Sequence, residues 1–522
     1  MASILSRVDN LAQDTTSTTF LFVSPQLIMN NPSVRNCLIR AHSKSILKSV
    51  FLDEVHLYVD HGVSFRDDIA ALKDSFFSIL FPPGKPSVHP CFCSMTGSFT
   101  KDQVTSLADL VGFTIPQSGI QWGSMEDFAR REIEILLSVS DDFTTTALNP
   151  FLQNIRKGID GSIKGIVYCN SVKDAEKKLN RINTMLDSAV DFVGDALLIH
   201  GQQQKTEKFV NTKVFLGQVD NSSLTPVILV ATSAANCGID DHRIRYIVRN
   251  GLPFGFLSFL QELGRAARYK GAICDDNSYH IVLNLKNFVQ SLQLYHYFNS
   301  PKFVTKAGKK MTPAEITIHK KTDHYKQSMK KFKKLLPKQI GTAFELLRLL
   351  TLRRGCWHVI LEAFCATGGD LSDIDYSKHA PCLNACPHCT GKLDQFFLPI
   401  HKEDAIIWLA EVVSKSGTIL CDDMLVNLLW EKPKYRYNIF GKKDVKRYQV
   451  IAFILQLLAT NILGCTTKLN EDNQYETQCH LSYYKVQNKQ MPLFNNDLVW
   501  TGITVHSTPR TREYTTNNKS QN

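Results

Sequence analysis

Short apolar runs separated by polar stretches recur over the first half of the chain, and most are rich in Val, Ile, Leu and Phe. Runs of this length are typical of strands buried on both faces. Between them, residues 172–186 repeat their apolar positions at helical spacing. Strands that alternate with helices predict an α/β fold with parallel sheets. The runs that predict strands are Phe20–Val23, Ser49–Leu52, Pro90–Thr96, Gly165–Cys169, Ala196–Ile199, Val227–Val230 and Tyr246–Val248.

The pattern changes in the C-terminal third, where helical spacing dominates. A long helix is predicted to run through Leu352, followed by a Cys-rich segment at 356–389 and by helices near 401–415, 420–430 and 444–461. Asn470–Asn473 has the composition of a hairpin turn. Three helices followed by a β-ribbon predict a winged helix, and no internal repeat is present.

Composition narrows the class of protein. A chain of 522 residues with 43% hydrophobic and 21% charged residues is ordinary for a soluble protein of three or four domains. The apolar run Ile451–Leu458 is far too short to span a membrane, and the first residues lack the apolar stretch of a signal peptide. With no secretory signal, the 14 cysteines favour reduced thiols and a metal site.

The positive charge is concentrated in one segment. Between Ser300 and Lys338 twelve lysines face only Glu315 and Asp323, a local charge of +10 out of the total of +11. Such a segment predicts contact with a polyanion, and a solvated helix face is the alternative interpretation.

Two segments carry the residues of nucleoside-triphosphate chemistry. Asp53-Glu54-Val55-His56 follows a predicted strand directly, and open α/β sheets bind ligands at the carboxyl ends of their strands. Gln261-Glu262-Leu263-Gly264-Arg265-Ala266-Ala267-Arg268 places two arginines three residues apart, on one face of an expected helix. Arginines so placed can reach a γ-phosphate. The sequence contains no Gly-x-x-x-x-Gly-Lys-Ser/Thr phosphate-binding loop.

A cysteine cluster predicts a structural zinc site. Cys382, Cys386 and Cys389 lie within eight residues, and Cys356, expected on the preceding helix, would complete four thiolate ligands. Cys365 could replace Cys356, and His379 and His388 are alternative ligands.

These segments resemble the RecQ family of superfamily 2 DNA helicases, in the same order and over about residues 20–490. The departures are His61 where the family usually has Trp, an altered motif at Ser94–Phe99, and a three-residue spacing between Cys382 and Cys386. The matching segments are Leu52–His56, Leu57–Arg66, Ser94–Phe99, Ile166–Ser171, Ile199–Gly201, Val230–Asp240, Leu252–Pro253 and Gln261–Arg268.

The resemblance implies two RecA-like lobes, the first truncated, followed by a zinc-binding helical subdomain and a winged helix. The expected divisions are a loose segment at 1–19, a partial first lobe at 20–145, a second lobe at 150–299, a basic linker or helix at 300–340, the zinc subdomain at 341–395, the winged helix at 396–500 and a disordered tail at 506–522.

The resemblance also assigns roles. Asp53 would hold Mg²⁺ through water, Glu54 would polarise the attacking water, and Arg265 and Arg268 would be γ-phosphate sensor and arginine finger. His56 and Gln261 would complete the catalytic set, and Cys356, Cys382, Cys386 and Cys389 would bind Zn²⁺. Coupling of ATP to DNA is assigned to Thr96, Ser98, Gly238 and Asp240. DNA contact is assigned to His61, Phe65, Arg66, Asn170, Ser171, Thr232, Lys442, Lys443 and Tyr475.

The expected activity is 3′–5′ unwinding of single-strand-containing and branched DNA, driven by ATP with Mg²⁺, in repair or recombination in the nucleus. The missing phosphate-binding loop predicts weak or no ATP turnover by this chain alone, as in a truncated copy. A non-catalytic DNA-binding protein that keeps the zinc and winged-helix platform is the alternative. An RNA helicase is disfavoured by that same platform.

Overall fold

In the computed structural model the chain is described in many separate stretches. These are residues 19–56, 72–82, 90–97, 99–112, 115–123, 130–157, 163–188, 194–219, 226–233, 239–267, 277–300, 311–352, 355–368, 380–382, 385–416, 419–420, 423–460, 462–469 and 475–481. The chain divides into two compact units. The first comprises Met1–Ala129, Phe298–Pro337 and Val359–His379, and the second comprises Arg130–Tyr297, Lys338–His358 and Ala380–Asn522.

A parallel pair of strands lies in the first unit. β1 (Ser49–Leu52) pairs with β2 (Cys91–Ser94), as the sequence predicts for both. Because the strands are parallel, the residues that follow each of them emerge at the same edge. The helices of this part are α1 (Pro25–Asn30), α2 (Pro32–Ser43), α3 (Ser78–Leu80, which continues a π-helical turn at Lys73–Phe77) and α4 (Lys101–Val111).

The core of the first unit is aromatic. Phe76 and Phe77 have their ring centroids 5.7 Å apart, and Phe81 contacts Phe92 edge-on at 5.6 Å. Buried apolar side chains from α2, β1 and α4 pack around them. Burial of this size holds the two strands against the helices, since each fully buried aromatic or aliphatic side chain contributes about 1.5–3 kcal/mol.

The strand predicted at Phe20–Val23 is wrong. These residues are irregular and lead into α1, where the side chain of Ser24 accepts a hydrogen bond from the backbone N–H of Leu27 at 3.2 Å. Phe22 is 93% exposed. An apolar run becomes a strand only when a neighbouring strand takes up its backbone hydrogen bonds, and the described residues provide none here.

The second unit contains a six-stranded parallel sheet in the order β3-β8-β7-β4-β6-β5. Four of these strands were predicted from the sequence, namely β4, β6, β7 and the edge strand β5. The other two, β3 and β8, were not predicted. The half-buried pattern of β3 alternates, so it lacks the continuous apolar run of its neighbours. The strands are β3 (Glu134–Val139), β4 (Lys164–Tyr168), β5 (Asp195–Ile199), β6 (Pro226–Ala231), β7 (Ile244–Asn250) and β8 (Ser278–Leu283).

Helices surround this sheet and bury its apolar side chains. The helix predicted at 172–186 is confirmed, with Ser171 as its N-cap. One core cluster joins Phe143 and Phe151 to β4, β6 and β7. The helices are α5 (Asn149–Ile155, after a π-helical turn at Thr144–Leu148), α6 (Val172–Asp187), α7 (Lys205–Phe215), α8 (Gly255–Leu263) and α9 (Leu285–Asn299).

Most of the described part of the basic segment is helical. α10 (Pro313–Lys321) begins with a capping box between Thr312 and Glu315, and α11 (Asp323–Thr351) follows it directly. Residues 301–310 lie outside the described part. α12 (Trp357–Ala366) comes next.

The C-terminal part combines four helices with a small antiparallel sheet in the order β10-β11-β9. The predicted hairpin is present, with Leu469 opposite Tyr475. One helix, at Pro433–Phe440, was not predicted. The elements are α13 (Lys402–Ser416), β9 (Ile419–Leu420), α14 (Asp423–Trp430), α15 (Pro433–Phe440), α16 (Arg447–Ala459), β10 (Leu463–Leu469) and β11 (Tyr475–Leu481). Among the described residues, no helix is long and apolar enough to cross a membrane.

Candidate functional site

Two carboxylates lie at the carboxyl end of β1 in the first unit. The backbone N–H of Glu54 donates to Oδ1 of Asp53 at 2.8 Å, which turns the chain sharply after the strand. Glu54 has a φ of +48°, a left-handed conformation that is uncommon outside glycine. Backbone strain of this kind costs about 1–3 kcal/mol and clusters at functional sites. Both carboxylates are exposed and available to a ligand.

His56 links this turn to the end of β2. Its Nδ1 lies 2.7 Å from Oγ1 of Thr96 and 3.2 Å from Oε2 of Glu54. The carboxylate of Glu54 can only accept a hydrogen bond. The tautomer with its proton on Nδ1 therefore suits a ring nitrogen that faces this carboxylate and the hydroxyl of Thr96. The segments after the two paired strands are thus joined by a buried imidazole, which is 4% exposed.

Burial lowers the pKa of His56 to about 4, while the nearby negative charge of Asp53 acts weakly in the opposite direction. The imidazole is therefore neutral at pH 7. Its contact with Glu54 at 3.2 Å is therefore not an ion pair, and the hydrogen bond of Nδ1 is the one with Thr96.

The depressed pKa of His56 predicts a pH-dependent stability. Between pH 6.5 and about 4 the unfolded chain binds a proton at this position that the folded chain excludes. The contribution of His56 to the free energy of unfolding is fully present above pH 6.5. It is lost as the pH falls toward 4, which lowers the free energy of unfolding by up to about 3 kcal/mol. Urea unfolding of the wild type and of His56→Gln, which does not titrate, should give a shallower pH slope for the variant. Equal slopes would contradict this origin of the pH dependence.

Six of the sequence-predicted site residues lie outside the described part of the chain. They keep the roles expected of them as predictions. They are His61, Phe65, Arg66, Ser98, Gly238 and Arg268.

In the second unit, polar residues follow the parallel strands at the carboxyl edge of the sheet. The Asn170 amide is 5% exposed and donates to Oγ of Ser291 at 2.8 Å. Ser171 caps α6, where its Oγ accepts from the N–H of Asp174 at 3.2 Å. Thr232, after β6, is buried, whereas Asp240 is exposed. Asn170 and Ser171 therefore have internal partners in addition to the DNA contact predicted for them.

A buried ion pair ties β7 to α8. Arg249 and Glu262 are both 0% exposed, and Nη1 of Arg249 lies 3.3 Å from Oε1 of Glu262 without the geometry of a hydrogen bond. Nη2 of Arg249 donates to Oδ1 of Asn170 and to the carbonyl of Leu252, and Tyr279 donates its hydroxyl proton to Glu262 at 2.7 Å. Burial raises the pKa of Glu262, and the positive charge of Arg249 opposes that shift.

This pair was not predicted as part of the site, although Glu262 lies inside the Gln261–Arg268 motif. It sets the position of α8 against the sheet, and with it the half-buried Gln261 on the same helix. A glutamate within an otherwise apolar helix face is the sequence signal that could have revealed it.

Arg265 does not lie on a helix, which corrects the expectation of a helix face that carries both arginines of the motif; Arg268 lies outside the described residues. α8 ends at Leu263, after which the N–H groups of Arg265 and Ala266 donate to carbonyls three residues back, and Ala267 has a φ of +51°. Arg265 is 7% exposed, and its Nη1 donates to the carbonyl of Ile239 at 2.6 Å. Its side chain therefore has a structural role that the sequence did not suggest.

Arg130 supports the same turn and was missed by sequence reasoning. Its Nη2 donates to the carbonyls of Ala266 and Ala267, across 136 residues of chain. A second contact, from Nε to Glu132, orients the guanidinium. The side chain of Arg130, which comes shortly before the edge strand β3, thus holds the backbone of Ala267, the residue before Arg268.

Four cysteines of the second unit meet at one point. The Sγ atoms of Cys356, Cys382, Cys386 and Cys389 all lie within 4.8 Å of one another. Tetrahedral zinc with Zn–S bonds of about 2.3 Å requires sulfurs about 3.8 Å apart, so the cluster fits one ion. Cys356, Cys382 and Cys386 are buried.

The surroundings also suit thiolate ligands. The hydrogen bond with the thiol of Cys356 raises the pKa of Cys386 to about 12, whereas backbone N–H groups of Cys389 and Trp357 lower it. N–H groups directed at sulfur stabilise a thiolate. A backbone hydrogen bond of 2.8 Å from Ile135 to Ala385 ties the cluster to β3.

Cys356 does not lie on the preceding long helix, which corrects that expectation. α11 ends at Thr351, and Cys356 comes immediately before α12. Cys365, on α12, is not in the cluster, and neither is His388; His379 lies outside the described residues.

Two DNA-binding candidates of the C-terminal part, Lys442 and Lys443, are adjacent in the connection between α15 and α16. Lys443 is exposed and Lys442 is half-buried. The nearby Arg447 is engaged internally, since its Nη1 donates to Asn427 at 2.8 Å. Tyr475 begins β11, and its side chain lies outside the described part.

Comparison with known proteins shows which proteins this chain is similar to. The helicase conserved C-terminal domain matches residues 148–270, which include β4 to α8. A probable ATP-dependent DNA helicase RecS of Bacillus subtilis is 27% identical over 48% of this chain and 43% of its own length. A putative ATP-dependent DNA helicase Q1 of Caenorhabditis elegans is 24% identical over 48% of this chain and 35% of its own length. The chain is RecQ-like.

This RecQ-like chain spans less than half the length of those relatives. Among solved structures, the helicase Lhr of Mycobacterium smegmatis, bound to single-stranded DNA and AMP-PNP, is 13% identical with a TM-score of 0.36. That alignment covers 88% of this chain and 61% of Lhr. A likeness at that level supports no further conclusion.

Proposed function

We propose that this chain is the motor and DNA-binding part of a 3′–5′ DNA helicase that couples ATP hydrolysis to strand unwinding. The hydrogen bond of 2.7 Å between His56 and Thr96 carries the proposal. It joins a carboxylate pair to a hydroxyl residue after the neighbouring strand. If bound nucleotide is to affect a second motif, the two sites must be physically connected. Coupling between them requires contacts that differ between two states.

In this proposal each unit contributes different groups. Asp53 would hold Mg²⁺ together with the nucleotide, and Glu54 would orient the attacking water. Arg268 would act as the arginine finger, a contribution of roughly 10³–10⁵ in turnover. Arg265 would sense the γ-phosphate, and Arg130 would hold the turn that leads to Arg268.

The four-cysteine cluster would hold one structural Zn²⁺. Four protein ligands leave no open coordination position, so the ion would stabilise the fold and take no part in hydrolysis. The helices α13, α14 and α16 with the small antiparallel sheet would form a winged helix that contacts DNA. Lys442 and Lys443 would contact phosphates, which positions DNA without reading its sequence.

The proposed partner is DNA, single-stranded or branched, and the proposed location is the nucleus. The direction of travel and the role in repair or recombination are taken from the resemblance to the family. The relatives are named as DNA helicases.

ATP hydrolysis with and without single-stranded DNA tests the proposal. Because the sequence contains no phosphate-binding loop, we expect turnover in the wild type to be weak and DNA-stimulated, and to fall about 10²–10⁴-fold in Glu54→Gln, because the amide cannot accept a proton from the attacking water. Glu176→Gln, an exposed change on α6, is the matched control and should leave turnover unchanged.

Unchanged turnover in Glu54→Gln would refute the role of Glu54. No turnover in the wild type, with DNA binding and zinc retained, would instead favour a non-catalytic DNA-binding protein.

A further inference from the structure

Two cysteines are paired across the C-terminal hairpin. In the antiparallel register of β10 and β11, Cys465 is directly opposite Cys479. The Cα atoms of residues paired in this way are about 4.5–5.5 Å apart, and their Cβ atoms lie on the same face of the sheet. A disulfide requires Cα atoms about 4.4–6.8 Å apart. The register therefore places these two residues where a bond between them requires little movement of either strand.

The pair lies at the border between the buried and the accessible part of its face. Side chains alternate along β10, so Leu463, Cys465 and Thr467 share one face. Leu463 is buried, whereas Cys465 and Thr467 are half-buried. Fully buried thiols are inert, and partly exposed ones can react. Cys465 is therefore open to a small oxidant.

A bond at this position would hold the hairpin from both sides. β11 is the central strand of its sheet, and Cys479 is opposite Ile419 of β9 on the side away from β10. The bond would close a loop of 15 residues, Cys465 to Cys479, which contains the turn. Closing a loop restricts the unfolded chain more than the folded one, so the hairpin would become more resistant to opening.

We propose that Cys465 and Cys479 form a reversible disulfide that locks the C-terminal hairpin when thiols are oxidised. The co-reactant is a low-molecular-weight disulfide of the glutathione type. The thiolate of one cysteine attacks it, forms a mixed disulfide and releases one small thiol. The second cysteine attacks the protein-bound sulfur and releases the other. Two protein thiols are thus oxidised to one disulfide, and the two electrons and two protons end on the two small thiols.

The bond gives the hairpin two states that the surrounding thiol pool selects. In a reducing compartment disulfides form transiently and act as redox sensors, and the same exchange run backwards restores both thiols. The hairpin belongs to the proposed winged helix, but the inference does not depend on that function. Its readouts are a covalent bond and the opening of two strands.

Peptide mapping tests the bond in the full chain. The protein is equilibrated at increasing ratios of glutathione disulfide to glutathione, its remaining thiols are blocked by alkylation, and it is digested with trypsin. Cleavage after Lys468 separates the two cysteines into the peptides Tyr448–Lys468 and Leu469–Lys485, each of which contains a single cysteine. We expect to recover these peptides as one linked species that reduction separates. Oxidation elsewhere in the chain does not produce this species.

Hydrogen exchange tests the lock. With the bond formed, amides of β10 and β11 should exchange about 10²-fold more slowly than in the reduced chain, the factor expected from closing a loop of this length. Cys479→Ser removes the bond and should exchange equally fast in oxidising and reducing buffer. Cys91→Ser, which removes an exposed thiol from β2, is the matched control and should keep both the linked peptides and the protection.

Two results would overturn the proposal. They are the absence of the linked species at every ratio and equal exchange in the oxidised and reduced wild type. Neither depends on a variant that must fold, and circular dichroism checks the fold of the two variants. A chain that forms the bond without any ATP turnover would leave this site standing while the motor proposal fails.

Discussion

Replacing Cys386 by serine is expected to release the zinc ion proposed for the four-cysteine cluster and to unfold the region that joins β3 to the C-terminal helices. Cys386 is 1% exposed and lies within 4.8 Å of three other thiols, so its loss leaves a buried three-ligand remnant. Structural zinc sites contribute roughly 10–16 kcal/mol of apparent binding free energy in small domains. Elemental mass spectrometry measures the zinc content of the variant, and thermal unfolding measures its stability.

Cys365→Ser is the matched control for this prediction. Cys365 is also buried, at 7% exposure, but it lies outside the cluster. It should keep one zinc per chain and lose little stability. Full zinc content in Cys386→Ser, or loss of zinc in Cys365→Ser, would refute the ligand set.

Replacing Glu262 by glutamine is expected to destabilise the second unit by about 3–5 kcal/mol, because it leaves the charge of Arg249 buried and unpaired. Both side chains are 0% exposed, so water cannot compensate. Asn170 and the carbonyl of Leu252 are acceptors on Arg249, but they carry no charge. Urea unfolding measures the loss.

The double variant Arg249→Met, Glu262→Met separates pairing from packing. Replacing a buried ion pair by apolar residues of similar volume is often neutral or stabilising. We therefore expect the double variant to be clearly more stable than Glu262→Gln. If both were equally unstable, the cost would arise from packing around α8 and not from an uncompensated charge.

Part of the site could be predicted from the sequence because its signals are local. An acidic pair directly after an apolar run predicts a ligand-binding strand end, and three cysteines within eight residues predict a metal site. The cluster of Cys356 with these three also agrees with the expectation, although its place before α12 does not. The choice between Cys356 and Cys365 required the fold, since their spacing from the other three cysteines excluded neither.

Other parts depended on contacts between distant residues. Arg130 meets the turn after α8 across 136 residues, and Arg249 meets Asn170 across 79. Neither arginine belongs to a spacing pattern. β3 was missed because it alternates, and Phe20–Val23 was overpredicted because apolar composition does not guarantee a pairing partner.

The sequence by itself determined the alternation of strands and helices, the position of the carboxylates at the end of β1, the cysteine ligand types and the concentration of lysines after Ser300. These features depend on the periodicity and composition of short stretches of sequence, so they can be recognised without knowledge of the fold. Tertiary structure alone decided that His56 joins Thr96, that Arg265 is buried, and that Glu262 is paired with Arg249. Burial and pairing are properties of neighbours in space, and a buried charge is stable only where the fold brings it a partner.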